Sequence, residues 1–262
     1  SRFSLGCLPK EDFPIIEIGN LGSELSINAQ SFLKLIEKTR FAVSNEETRY
    51  FLNGIYFQKK SVDNSECLCL VATDGHRLAK IEFSSLEKLP EMQGVIIPKK
   101  TINELCKLLA DFNDSITINL DSNKIIFFVN KSVLISKLID GNFPDYQKVI
   151  PDNNNNILSV KRDEFGMAVD RVSTIANEKS PVIKFKLLQN IMNMTSVDAE
   201  GGLATEDIIT EYSGNEMEIG FNSKYILEMI NNLEDEIVTL SFNDPSSPVI
   251  ATEKSNPDLI YV

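Results

Sequence analysis

Residues 23–43, with the sequence SELSINAQSFLKLIEKTRFAV, decide the fold because their hydrophobic period changes along the segment. Residues 23–27 alternate polar and apolar side chains, which is typical of a half-buried strand. Residues 28–43 then place Phe32 and Ile36 four positions apart, which predicts an amphipathic helix. Three β-rich runs follow, near residues 50–57, 67–73 and 78–83. The segment therefore predicts a unit of the order β-α-β-β-β.

The same order recurs three more times along the chain. Residues 94–97 predict a strand, and Pro98 is suited to the first turn of a second helix that extends to about residue 110. Two further helices are predicted at residues 161–176 and 222–233. Strands are predicted near residues 116–120, 124–129, 133–138, 157–160, 217–221, 237–242, 248–252 and 259–262, with three more within 182–212. An α+β protein is expected, in which two units side by side form a domain with two helices on one face.

The best candidate for a domain boundary is Asp152-Asn-Asn-Asn-Asn156. This polar stretch cannot bury apolar surface, and it directly follows a segment that contains proline. It separates the second unit from the third. We therefore expect domains at residues 23–155 and 156–262.

The charge is unevenly distributed. The chain has 26 basic and 38 acidic residues, a net charge of −12, and a uniformly acidic surface would repel nucleic acid. The first two predicted helices nevertheless each carry three basic residues and one acidic residue on their polar positions, a net charge of +2. These are Lys34, Lys38, Arg40 and Glu37 on the first, and Lys99, Lys100, Lys107 and Glu104 on the second. One interpretation is a basic concave surface formed by both helices. The other is that these are solvated lysines on ordinary exposed helix faces.

Few residues are available for metal binding or catalysis. Cys67 and Cys69 form a C-x-C pair inside an apolar run, which is more typical of two core residues on one face of a strand than of a zinc site. His76 is the single histidine, so a site that needs two imidazoles is excluded. We predict no metal, no cofactor and no catalytic residue. The alternative is a hydrolytic enzyme that uses Asp74 and His76.

No stretch reaches the roughly 18 consecutive apolar residues that a membrane helix needs, and no secretory signal is recognisable. We therefore expect a cytoplasmic protein with no membrane partner. Because residue 1 is Ser rather than Met, we expect a processed chain or a piece of a longer one.

Five motifs carry a resemblance to a known family. They are Arg49-Tyr-Phe-Leu-Asn-Gly54, Ala72-Thr-Asp-Gly-His-Arg-Leu-Ala79, Asp140-Gly-Asn-Phe-Pro-Asp-Tyr146, residues 173–179 with Asn177-Glu-Lys179, and Met217-Glu-Ile-Gly-Phe-Asn222. In this order and spacing, the sequence resembles the bacterial sliding clamps, the beta subunits of DNA polymerase III, over nearly its whole length.

The resemblance implies a DNA-clamp fold, in which the helices line the inner face of a ring and the sheets lie outside. Residues 1–22 would then be the end of a first domain and its connector, 23–155 the second domain, and 156–262 the third domain without its last few residues. The implied function is that of a non-catalytic processivity factor. It would encircle duplex DNA without reading sequence, and it would form a homodimeric ring when full length.

The resemblance also implies site residues. Short linear motifs of the replicative polymerase, the clamp loader and other clients would bind a pocket formed by Leu52, Thr73, Gly75, His76, Arg77, Leu78, Pro144, Lys148, Val149, Asn222, Tyr225, Ser247 and Val262. Apolar sockets with a few polar groups suit such peptides. The expected DNA contacts are Lys34, Lys38, Arg49, Tyr50, Phe51, Lys99 and Lys100. A sequence-specific DNA-binding module is a further alternative, but no recognition-helix motif supports it.

Overall fold

A computed structural model of the chain describes residues 1–13, 22–62, 65–84, 89–177 and 181–262. The α-helices of this part of the chain are α1 (Ala29–Arg40), α2 (Lys99–Leu109), α3 (Arg162–Ser173) and α4 (Ser223–Asn231). None of them is long and apolar enough to span a membrane. The strands are β1 (Ser23–Asn28), β2 (Gly54–Val62), β3 (Ser65–Thr73), β4 (Leu78–Ser84), β5 (Val95–Pro98), β6 (Ser115–Leu120), β7 (Lys124–Val129), β8 (Ser132–Lys137), β9 (Asn156–Lys161), β10 (Val182–Leu188), β11 (Ile191–Val197), β12 (Leu203–Ile209), β13 (Glu211–Tyr212), β14 (Met217–Asn222), β15 (Ile237–Phe242), β16 (Ile250–Glu253) and β17 (Asn256–Tyr261).

The predicted order of four β-α-β-β-β units is confirmed, with the two-residue strand β13 as an addition. One strand prediction is wrong at its start, because residues 50–52 belong to the 3-10 helix Glu47–Leu52. Its last residue, Leu52, is buried, and the Asn53 amide donates to the Tyr50 carbonyl at 3.0 Å. Packing of this turn therefore overrides the β-propensity of its aromatic residues. Pro98 is the N-cap of α2 and lies just before the helix.

The first strand of each unit pairs with a strand of the neighbouring unit. β1 joins β6, β7 and β8 in one four-stranded sheet, whereas β5 pairs with β2. In the second half of the chain, β14 joins β10, β11 and β12, whereas β9 pairs with β15. This exchange ties the units together in pairs, so that neither member of a pair has a complete sheet of its own.

A single sheet connects the two halves of the chain. It has nine strands in the order β13-β9-β15-β16-β17-β4-β3-β2-β5. The connection is the antiparallel pairing of β17 with β4, in which Leu259 lies opposite Ile81 and Tyr261 opposite Ala79. The last strand of the second half is therefore hydrogen-bonded directly to a strand of the first half.

The helices pack in two pairs, α1 with α2 and α3 with α4. Two of them begin in the same way: the side chain of Asn28 accepts a hydrogen bond from the Ser31 amide at α1, and that of Asn222 accepts one from the Lys224 amide at α4. Phe32 of α1 is fully buried, and its ring centroid lies 6.0 Å from that of Phe57. The apolar faces of the helices thus close the core against the sheets.

Lys38 forms a buried ionic contact between the two halves. Its side chain is only 4% exposed, although it belongs to α1, and its ammonium group donates to the Asn232 carbonyl at 2.5 Å. The same group lies 3.0 Å from the Glu234 carboxylate and 3.5 Å from that of Glu253. Glu253 is itself buried and accepts hydrogen bonds from the amides of Glu234 and Asp235. Removing one partner of such a pair leaves an uncompensated buried charge.

We expect the variant Lys38→Ala to lower the free energy of unfolding by about 3 kcal/mol, because it leaves the Glu253 carboxylate without this cation. Lys34→Ala is the matched control: Lys34 also lies on α1 and pairs with Glu234 at 2.7 Å, but half of its side chain is exposed. For that variant we expect a loss of about 1 kcal/mol or less. Urea unfolding of both variants measures the difference, and equal losses would contradict the structural role of Lys38.

Candidate functional site

A cavity of about 810 Å³ lies where the two halves of the chain meet, and we call it the junction cavity. All but one of the residues expected to form a pocket border it. These are Leu52, Thr73, Gly75, His76, Arg77, Leu78, Pro144, Val149, Asn222, Tyr225, Ser247 and Val262. The exception is Lys148, whose exposed side chain does not border the cavity and whose ammonium group lies 3.0 Å from the Asp145 carboxylate. The structure therefore places Lys148 outside the cavity lining, next to Val149 in the chain, and its role in peptide binding stays a prediction.

The turn between β3 and β4 forms one edge of the cavity. The Thr73 hydroxyl donates to the Arg77 carbonyl at 2.6 Å and accepts from the Gly75 amide at 3.0 Å. Gly75 has φ +88°, a conformation that side chains with a Cβ rarely adopt. A Cβ at this position would also lie 2.3 Å from Nη1 of Arg49. Glycine therefore allows the turn to pass close to the neighbouring guanidinium group.

Arg77 connects this turn to α4. Its guanidinium group lies over the Tyr225 ring, 4.3 Å from the ring centroid, and forms an ion pair with Glu228. It also donates to the Phe41 carbonyl at 2.9 Å. Burial raises the pKa of Tyr225, so its phenol remains protonated at neutral pH. Cation–π stacking and the ion pair together fix the rim of the cavity across the two halves.

Next to Arg77, the wall of the cavity is set by backbone pairing. The Leu78 amide donates to the Val262 carbonyl at 2.8 Å, and the Val262 amide donates to the Leu78 carbonyl at 2.9 Å. Both residues border the cavity, so the β4–β17 pairing continues directly into its wall.

The apolar floor of the cavity was missed by the sequence analysis. It includes Phe185 on β10, Ile219 on β14 and Leu240 on β15, together with Ile226 and Met229, which share the buried face of α4. The helical spacing of residues 222, 225, 226 and 229 could have indicated the α4 residues. No signal separates the strand residues from ordinary core positions.

A polar loop completes the rim. The Asp244 carboxylate accepts hydrogen bonds from the hydroxyl groups of Ser246 and Ser247, both at 2.6 Å, and from their amides. These bonds favour the ionised form and lower the pKa of Asp244 to about 2. Ser247 therefore borders the cavity with its hydroxyl group already engaged.

The expected DNA contacts do not all lie together. Lys99 and Lys100 border an open groove between α1 and α2, together with Arg40, Asn103 and Lys107, and we call it the helix groove. Lys107 is paired with Glu104 at 2.9 Å. Lys38 is wrong as a DNA contact, because its ammonium group is buried in the ionic contact described above. Lys34 is paired with Glu234 beside it.

The other expected DNA contacts, Arg49, Tyr50 and Phe51, lie on a turn away from the helix groove. Arg49 pairs with Glu46 at 2.7 Å, and it borders the junction cavity together with Phe51. Tyr50 is 53% exposed and contacts Phe51 edge to face. None of the three residues borders the helix groove, so the structure separates them from Lys99 and Lys100.

The arrangement around His76 does not form a catalytic pair. The Asp74 carboxylate accepts hydrogen bonds from the backbone amides of His76 and Arg77 and from the Arg77 side chain. Asp74 therefore closes the turn and does not orient the imidazole ring, which instead stacks near Tyr225 at 6.5 Å between centroids. Among the described residues, no group of three or more His, Cys, Asp or Glu side chains could hold a metal ion.

Paired β-α-β-β-β units with a cavity across their junction define a DNA-clamp protein. Residues 26–145 match the family described as "DNA polymerase III beta subunit, central domain", and residues 147–262 match "DNA polymerase III beta subunit, C-terminal domain". The chain belongs to the family of bacterial beta sliding clamps, the beta subunits of DNA polymerase III.

Individual relatives of the chain are also beta sliding clamps. The beta sliding clamp of Caulobacter vibrioides is 39% identical over 262 residues, which cover 100% of this chain and 70% of that protein. The beta sliding clamp of Escherichia coli is 35% identical over the same coverage. A crystal structure of the DnaN sliding clamp from Bartonella birtlesii, bound to griselimycin, superimposes with a TM-score of 0.95 and 39% identity, covering 99% of this chain and 70% of that one.

The family assignment establishes the function at the level of the class. The protein is a non-catalytic processivity factor of DNA polymerase III, which encircles duplex DNA and tethers the polymerase as a homodimeric ring when full length. The hydrolytic enzyme and the sequence-specific DNA-binding module are therefore both wrong as alternatives.

We expect the Asp244 carboxyl group to titrate near pH 2 in the folded protein, because its hydrogen bonds are lost on protonation. An unfolded aspartate titrates near 3.9. The contribution of Asp244 to stability is therefore complete above about pH 4 and is lost as the pH falls towards 2. NMR titration of the side-chain carboxyl carbon measures this pKa. In the double variant Ser246→Ala/Ser247→Ala it should move towards 4, and a wild-type midpoint near 4 would contradict the role of the two hydroxyl groups.

Proposed function

We propose that the junction cavity binds short linear peptide motifs of the polymerase, the clamp loader and other clients. The observation that carries the proposal is the convergence of distant segments on one apolar cavity: the β3–β4 turn, residues 144–149, the start of α4 and the end of the described chain. The floor is apolar, and the rim carries Thr73, His76, Arg77, Asn222 and Ser247. Apolar anchors with a few orienting polar groups are typical of peptide recognition in a groove.

The expected affinity is modest. Burying two apolar anchors supplies roughly 3 to 6 kcal/mol before the peptide is ordered, so micromolar binding is the most to expect. A clamp that exchanges clients benefits from complexes that dissociate readily.

We propose that Lys99 and Lys100 contact DNA phosphates without reading bases. They lie at the start of α2, and no ion pair to either lysine occurs within the described ranges. Contacts to phosphates alone suit a protein that slides. Lys34, Arg49, Tyr50 and Phe51 remain weaker candidates, because the first two are ion-paired and none of the four borders the helix groove.

We also propose the domain division 1–22, 23–155 and 156–262, and a cytoplasmic location. Two complete units on either side of the segment Asp152-Asn-Asn-Asn-Asn156 support the division of residues 23–262. Within the segment 1–22, residues 14–21 lie outside the described residues. A place in the bacterial cytoplasm follows from the role of the family in chromosomal replication.

For the peptide site, we expect Val149→Asp to weaken binding of a short synthetic peptide with one Leu and one Phe about tenfold or more, because it puts a charge on an apolar wall. Val133→Asp is the matched control. Val133 on β8 is 48% exposed, Val149 is 49% exposed, and Val133 does not border the cavity. Calorimetry gives both affinities. Unchanged binding by Val149→Asp, or an equal loss in the control, would contradict this site.

For DNA, we expect the double variant Lys99→Glu/Lys100→Glu to flatten the salt dependence of duplex binding. Each lost phosphate contact removes about 0.9 from the slope of log affinity against log salt, so the change should reach up to about two units. The control Lys131→Glu/Lys254→Glu makes the same change in charge on two hairpin turns. Fluorescence anisotropy with a short duplex at several salt concentrations measures the slopes. Equal slopes in both variants would remove Lys99 and Lys100 from the proposal.

A further inference from the structure

Residues 140–150, which we call the strap, pack on the face of the nine-stranded sheet that lies opposite the helices. On β3 the side chains alternate: Leu68 and Leu70 belong to the main core with α1, whereas Cys69 and Val71 belong to a separate apolar cluster with Tyr146 of the strap. We call this second group, together with Tyr56 and Phe143, the outer cluster. The sheet is therefore buried on both faces at this point.

Two aromatic side chains fix the strap to the sheet. The Phe143 ring stacks on the Tyr56 ring with 4.8 Å between centroids and 3° between planes. Tyr146 is 5% exposed, and its phenolic oxygen accepts a hydrogen bond of 2.6 Å from Nε2 of Gln58. The same oxygen lies 3.6 Å from Sγ of Cys69. Burial raises the pKa of Tyr146, so the phenol stays protonated and these contacts persist at neutral pH.

The strap is also a wall of the junction cavity. Pro144, Tyr146 and Val149 all border the cavity, while Gln58 and Cys69 do not. Val262, the residue after β17, borders the cavity and packs against the outer cluster as well. The position of the strap wall therefore depends in part on Gln58 and Cys69, which contact Tyr146 but do not line the cavity.

We propose that Gln58 and Cys69 are positioning residues for peptide binding, because they hold Tyr146 and through it the strap wall of the junction cavity. This inference rests on the proposed function of the cavity. If the wall is already held in its binding conformation, peptide binding does not have to supply the free energy of ordering the wall. Loosening the wall therefore weakens binding without removing any peptide contact. Gln58 is the main support, since its amide makes the shorter contact.

The test compares Gln58→Leu with Gln58→Glu. Leucine removes the shorter of the two contacts of the Tyr146 hydroxyl, and we expect about three- to tenfold weaker binding of the Leu- and Phe-containing peptide. Glutamate can accept a hydrogen bond from the same hydroxyl, and we expect it to restore most of the affinity. In the peptide-free protein, hydrogen exchange of the amides of residues 142–150 should be faster in Gln58→Leu than in wild type and in Gln58→Glu.

Tyr212→Phe is the control for a general loss of stability. Tyr212 is also buried, and its hydroxyl donates to the Asn215 carbonyl at 2.5 Å, but it lies outside the junction cavity. We expect wild-type peptide affinity in this variant. Wild-type affinity in Gln58→Leu, or an equal loss in Tyr212→Phe, would overturn the positioning role while leaving the peptide site intact. Absence of binding by the wild-type chain would overturn the proposed function and this inference with it.

Discussion

The antiparallel pairing of β17 with β4 is the contact on which the rest of the structure depends. It joins strands from the two halves of the chain into one sheet, through pairs such as Leu259 with Ile81. The pairing continues to Leu78 and Val262, which are both walls of the junction cavity. Without this pairing, the cavity would lose one side, and its remaining walls would have no fixed separation.

The two faces of the sheet near this pairing carry different kinds of support. On the helix side, Lys38 is buried between Glu234 and Glu253, and this contact links α1 to the second half of the chain. On the other side, the outer cluster holds the strap by aromatic stacking and one short hydrogen bond. The ionic contact on one face and the apolar packing on the other thus hold the two halves in a fixed arrangement. The junction cavity is therefore already formed in the absence of a peptide.

Much of the secondary structure could be predicted, because periods of 2 and 3.6 residues are local properties of the sequence. β7 and β15 begin and end at the predicted residues. The exchange of first strands between units could not be predicted, because strand pairing depends on distant partners. The C-x-C pair fits its interpretation as core: Cys67 and Cys69 are buried on β3. No local pattern in the sequence indicates that residues 52, 73–78 and 222–225 share one site. That expectation came from the resemblance to the family.

The error on Lys38 has a clear physical origin. Its position on the polar face of α1 is typical of a solvated lysine, and its acidic partners lie about 200 residues away in sequence. Lys99 and Lys100 have the same sequence signature, and they border the open helix groove. Counting charges along a helix therefore predicts whether its polar face is positive or negative. It does not predict which of these side chains are buried by the other half of the chain, as Lys38 is.

The central claim is that a client peptide binds across the junction of the two halves. Methyl NMR of the chain during titration with a peptide that carries one Leu and one Phe tests it most directly. The account predicts saturable shifts of Leu78 and Val149 from the first half and of Ile226 and Val262 from the second, with one common dissociation constant. Shifts confined to one half, or centred on the helix groove, would contradict it.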